Sequence, residues 1–309
     1  MSEMRRSMKN ELLSGQLKVS SPTVPQSQSY NRKIANFDGE SCWLNSSLQL
    51  ILVALDYSPN FTLSSSFGKL LEYAQTQTLL DPRQIKSLIQ KEVEDNAARY
   101  QYILTEQQCA RDLLLILGEN QESWRDIYNL LWQTCRQTIT CQNCQQMSVK
   151  FDEQLYSEVS CPGNNTKLKT FLENDFNTTG QDIEYRCESC NIRGTAKQSF
   201  QLVTEASSFY FIVAMNRSHE NYNDRVTATD DVTLIDSNNC PRTYTPLSII
   251  QHSGGIEHNV RSARHYMCDV KNIQDNKWYH TSDSTEPRVL RKNQVTKNGF
   301  IVLYKRKSD

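Results

Sequence analysis

No apolar run among the 309 residues approaches the roughly 18 that a membrane-spanning helix requires. The longest candidate, Leu48 to Leu55, holds Gln49 inside it and reads as a core helix. Net charge is missing as well: 34 Lys and Arg against 35 Asp and Glu leave −1. A chain so balanced has no field of one sign to draw in nucleic acid. There is no internal repeat. The first dozen residues are charged and polar and lack the apolar stretch of a secretory signal. The ten cysteines are therefore expected to be reduced, in a protein of the cytoplasm or nucleus.

What is present suffices for a large core, with 38% hydrophobic residues. Residues 1–30 mix Ser, Gln, Pro and scattered charge without periodicity, the composition of a disordered arm. Its basic cluster, Arg5, Arg6 and Lys9, reads as a solvated terminus. From Cys42 to Trp132 the apolar spacing is helical, through Phe67, Leu70 and Leu71, then Ile85, Leu88 and Ile89, then Leu113 to Leu117. From Ile139 onward short alternating strands are broken by Asn, Gly, Pro and Asp. Helices first and strands after define an α+β fold.

Two distant segments carry chemistry. Gly39 and Glu40 read as a turn before Ser41 and Cys42, and Leu44, Leu48, Ile51 and Leu55 continue at helical spacing. Cys42 is thus expected in a first helical turn, where unpaired N–H groups favour a thiolate. Far along the chain, His265 sits on an expected strand, and Ser282 and Asp283 follow Trp278-Tyr279-His280-Thr281. A thiol, an imidazole to take its proton and a third group to orient the ring are the parts of a cysteine protease. A buried structural thiol is the competing reading of Cys42 taken alone.

A second pattern is Cys141-Gln142-Asn143-Cys144 and Cys187-Glu188-Ser189-Cys190. Two such pairs offer four soft thiolates to a tetrahedral metal, and in a reduced compartment zinc outweighs disulfides. Cys109, Cys135, Cys161, Cys240 and Cys268 form no comparable pattern and are expected to be packing residues.

Taken in order, these segments resemble the ubiquitin-specific proteases, papain-like cysteine deubiquitinases, from about Asn36 to Lys305. Gly39 to Gln49 resembles the family's cysteine box, and Gln107 to Leu114 its following helix. The two CxxC pairs resemble its zinc-bearing fingers, and Ala196-Lys197 with Phe209 to Arg217 the strand that leaves them. Leu247 to Tyr266 with Trp278 to Ser284 resembles its histidine box, and Gly299 to Tyr304 its closing strand.

The resemblance implies a helical thumb over about 36–132 and a β-rich palm and fingers over about 133–309. It implies Cys42 as nucleophile, His265 as base, and Ser282 or Asp283 as the third group, only one of which reaches His265 if both lie on a strand. One structural zinc is implied on Cys141, Cys144, Cys187 and Cys190. Gln108 and Asp112 are implied as contacts for the basic tail of ubiquitin, with Cys109 standing where the family has an Asp. The family's oxyanion Asn falls on Phe37, so Asn36 serves only if the turn is shifted. Arg264 replaces the Gly that usually precedes the histidine. The expected partner is ubiquitin or a ubiquitin-like modifier and its conjugates, met by a monomer, with neither nucleic acid nor membrane involved. Two alternatives stay open: the same chemistry on another modifier such as SUMO, and a silent ubiquitin-binding scaffold, which Phe37 and Arg264 favour.

Overall fold

The structure is a computed structural model, and it describes residues 33–34, 36, 40–76, 79–95, 109–119, 122–177, 180–217, 224–253, 265–283, 285–291 and 299–308. The arm expected over 1–30, Phe37, Gln108 and Arg264 lie outside the described residues. A short strand β1 (Lys33–Ile34) pairs in parallel with β2 (Leu79–Leu80). Among the described residues the N-terminal part continues with α-helices α1 (Cys42–Asp56), α2 (Ser66–Thr76), α3 (Pro82–Asp95), α4 (Ala110–Leu117) and α5 (Arg125–Leu131), the last preceded by a 3-10 turn at Glu122–Trp124. Every residue of α1 from Cys42 to Leu55 is buried, so it is a central helix rather than an amphipathic one.

Two sheets follow. The first is antiparallel, in the order β4-β3-β8-β7, from β3 (Gln133–Cys141), β4 (Met147–Gln154), β7 (Gln181–Arg186) and β8 (Arg193–Leu202). Between them come β5 (Ser157–Ser160), β6 (Thr166–Lys167) and α6 (Leu168–Asn177). The second sheet adds β9 (Tyr210–Asn216), β11 (Val232–Ile235), β12 (Pro241–Ser253), β13 (His265–Lys271), β14 (Trp278–Thr281), β15 (Arg288–Val289) and β16 (Gly299–Arg306). Its order is β15-β14-β13-β12-β16-β9-β5, with β11 on β12, while β10 (Val226–Thr227) pairs with β6. β5 joins β9 in parallel; the other pairings of this sheet are antiparallel.

This larger sheet is buried on both faces, and its alternation shows it. Tyr210, Ile212, Ala214, Ile250, Cys268, Val270, Ile301 and Leu303 join the core around α1. Phe211, Val213, Met215, Ile249, Val302 and Tyr304 join a second core beneath α6, with Leu168, Leu172 and Phe176. One residue's shift in register would exchange the two sets.

Three expectations are corrected. The strand pattern begins at Gln133, not Ile139, because β3 opens with polar residues whose burial no hydrophobic alternation announces. Helix α6 interrupts the strand-rich part. Cys240 is exposed in the turn between β11 and β12 rather than packed.

Candidate active site and metal centre

Cys42 is the first residue of α1 and 1% exposed. Burial pushes its thiol above the ordinary value, the backbone N–H of Tyr266 pulls it back down, and the charge of Asp283 raises it again. His265 directly precedes Tyr266 at the start of β13, the strand end whose backbone N–H reaches the Cys42 sulfur. His265 Nε2 lies 2.7 Å from Ser282 Oγ.

Asp283 points elsewhere. The strand β14 ends at Thr281, and Asp283 turns with φ 45°, in the left-handed region. Its carboxylate accepts the side-chain amide of Asn36 at 2.8 Å on one oxygen and that of Asn45 at 2.7 Å on the other. The Asn36 carbonyl oxygen accepts the N–H of Ser41 at 2.9 Å. Ser41 makes no side-chain cap, so Asn36 meets one of the orphan donors at this helix start. The expectation that Ser282 and Asp283 share a strand fails: the turn, not strand alternation, separates them.

Asp112 lies in the first turn of α4, half-buried, and burial raises its carboxyl while Arg111 opposes. Cys109 stands at the N-cap of that helix with its thiol hydrogen-bonded to the Tyr266 side chain, and burial pushes it up. Arg111 pairs with Glu158 at 3.4 Å.

Two polar arrangements escaped the sequence reading. Asn45 is one, three residues into the helix after the nucleophile; its only trace was the polar run Asn45-Ser46-Ser47 inside an apolar helix. The other is fully buried Asp269, whose carboxylate pairs with His280 Nδ1 at 2.8 Å on neighbouring strands.

Among the described residues, Cys141, Cys144, Cys187 and Cys190 form a cluster with all four sulfurs within 4.8 Å. The pairs Cys141–Cys190 and Cys144–Cys187 stand 3.9 and 3.6 Å apart. Four sulfurs at about 2.3 Å from a tetrahedral zinc would be about 3.8 Å apart, so the donor set fits zinc. The two knuckles are copies. Gln145 and Asn191 each follow the second cysteine at φ 59° and 56°, and each N–H returns to the first cysteine's carbonyl, at 2.9 and 2.8 Å. The N–H of Cys190 pulls Cys187 down to about 7, whereas Cys144, which accepts the Gln146 N–H, is held up at about 12 by its neighbouring sulfurs. Thiols so crowded titrate against one another, and a divalent cation relieves the repulsion.

This α+β fold, a helical part followed by a β-rich part that carries the four-cysteine cluster, is shared with solved chains of a deubiquitinase (DUB) module. A chain of the SAGA Ubp8/Sgf11/Sus1/Sgf73 DUB module bound to ubiquitin aldehyde matches with TM-score 0.62 and 15% identity, covering 100% of this chain and 76% of that one. A chain of the same module bound to monoubiquitin matches with TM-score 0.59, at 15% identity and the same coverage. In sequence, 138 residues, 41% of the chain, are 24% identical to ubiquitin carboxyl-terminal hydrolase 12 of Saccharomyces cerevisiae. The chain spans 11% of the length of that relative. No family model matches the chain.

Proposed function

We propose that this chain is a thiol-dependent deubiquitinase, cleaving the isopeptide bond after the C-terminal Gly of ubiquitin. The observation that carries the reading is the His265 Nε2 to Ser282 Oγ contact of 2.7 Å, in a strand whose next residue, Tyr266, turns its backbone N–H to the Cys42 thiol at a helix start. With Ser282 on Nε2, Nδ1 is assigned to the thiol. His265 takes the Cys42 proton, and the thiolate attacks the terminal glycine carbonyl. The tetrahedral oxyanion is met by the N–H of Cys42 and by the second amide hydrogen of Asn36, whose first is committed to Asp283. His265 then protonates the departing lysine amine, leaving a thioester on Cys42. Water, deprotonated by His265, releases ubiquitin and restores the thiol. Ser282 orients the imidazole by hydrogen bonding, and the basic tail is received by Gln108 and by Asp112, which is half-buried. Cys141, Cys144, Cys187 and Cys190 hold one zinc, which locks the two knuckles together at the finger tip.

Ubiquitin as partner is supported by the fold likeness to a module bound to ubiquitin aldehyde and to monoubiquitin. One observation favours another modifier such as SUMO: Cys109 is engaged with Tyr266 and offers no carboxylate to a tail. Hydrolysis of ubiquitin carrying a C-terminal fluorogenic amide tests the proposal. Turnover that disappears in Cys42→Ala and His265→Ala is the expected result. Turnover that persists in Cys42→Ala, or is absent from the folded wild type, overturns it.

A further inference from the structure

We infer that Asn45 is a positioning residue for this reaction, joining the nucleophile's helix to the turn that carries Ser282. The inference rests on the proposed function and concerns a residue with no part in the chemistry itself. Four hydrogen bonds close a ring. The Ser41 N–H donates to Asn36 Oδ1 at 2.9 Å, and Asn36 Nδ2 to Asp283 Oδ2 at 2.8 Å. Asn45 Nδ2 donates to Asp283 Oδ1 at 2.7 Å, and the Asn45 N–H returns to the Ser41 carbonyl at 2.9 Å. Ser41 and Asn45 bracket Cys42 on the first turn of α1, and Asp283 directly follows Ser282.

The ring is built to hold. Asn45 is 3% exposed, and the half-buried Asp283 carboxylate has a donor on each oxygen, from Asn36 and from Asn45. Asp283 adopts φ 45°, in the left-handed region that few residues other than glycine visit and that short polar side chains such as aspartate tolerate. Its backbone carbonyl also accepts the Ile34 N–H at 3.3 Å, and the Asn45 amide reaches the Ile34 carbonyl at 3.4 Å. A turn fixed from three sides places Ser282 against His265, while the same ring fixes the residue before Cys42. An ordinary packing role for Asn45 would affect stability alone. The positioning role affects the rate at a bound substrate, because a misplacement of about 1 Å costs on the order of a hundredfold.

The test compares wild type, Asn45→Ala, Asp283→Ala and the double variant, with Asn45→Ser as a second substitution should alanine prevent folding. Steady-state hydrolysis of ubiquitin fluorogenic amide is measured beside peptide-resolved alkylation of Cys42 by iodoacetamide, at a temperature where melting curves show each variant folded. The expected result is a kcat lowered on the order of a hundredfold in Asn45→Ala with KM within about twofold, slowed Cys42 alkylation, and a double variant no worse than Asp283→Ala alone. Unchanged kcat, a loss confined to KM, or losses that multiply in the double variant overturn the inference. Absence of ubiquitin hydrolysis by the wild type would instead overturn the proposed function, and the alkylation comparison would still decide the role of Asn45.

Discussion

At the scale of single residues, Cys42 carries a tension: the helix start favours its thiolate, and burial opposes it more strongly. A thiol whose pKa stands above the usual cysteine range is protonated at neutral pH, and its thiolate grows as pH rises. Alkylation of Cys42 in the free protein should therefore climb steadily through about pH 8.5, the ordinary thiol midpoint, as followed by peptide mass spectrometry. A plateau near neutrality would contradict that. Ser282→Ala should lower kcat about tenfold or more, since His265 loses the partner that orients it, and leave KM nearly unchanged. The places of Cys42 and His265 were legible in the sequence because a helix start and a strand start announce themselves locally. The division of labour between Ser282 and Asp283 was not. It depends on β14 ending at Thr281 and on amides from Asn36 and Asn45, contacts across more than two hundred residues.

Individual elements carry their own predictions. Gln145 holds the left-handed position that Asn191 holds in the sister knuckle, and asparagine tolerates that conformation better than glutamine. Gln145→Asn should stabilise the protein by up to about 1 kcal/mol, raising the melting temperature by roughly 2–4 °C. In the turn between β11 and β12, the buried Asp236 carboxylate accepts N–H groups from Asn238 and Cys240, the Thr204 hydroxyl and Arg242 Nε. Although burial alone would raise its pKa, these donors hold it below the usual carboxylate range. A folded pKa below the unfolded one contributes stability that is complete above about pH 4 and fades as pH falls through the folded value. Asp236→Ala should cost about 3 kcal/mol at pH 7, a gap that chemical denaturation at about pH 3 should find narrowed. The helices α1 to α5 were legible from their 3.6-residue spacing. Strand β3 was read late because Cys135 is the lone apolar residue between Gln133 and Thr138.

In the whole molecule, one sheet divides two cores, and its strand ends hold His265 and lead to Ser282, while a separate sheet carries the four-cysteine cluster some distance along the chain. The four-cysteine cluster was legible as spacing alone, because CxxC pairs fix local knuckles whatever the rest of the chain does. Which face of each central strand meets α1 was not, since both faces are apolar and alternation cannot rank them. Purified protein should carry about one zinc per chain, and Cys187→Ala should lose it; a metal-free, fully folded preparation would contradict the centre proposed here. The most direct test of the central claim is reaction with ubiquitin bearing a C-terminal electrophile, run beside a SUMO counterpart and a Cys42→Ala control. A covalent adduct with ubiquitin that requires Cys42 is the predicted result. Folded protein that forms no adduct with ubiquitin, or forms one equally well without Cys42, would contradict it.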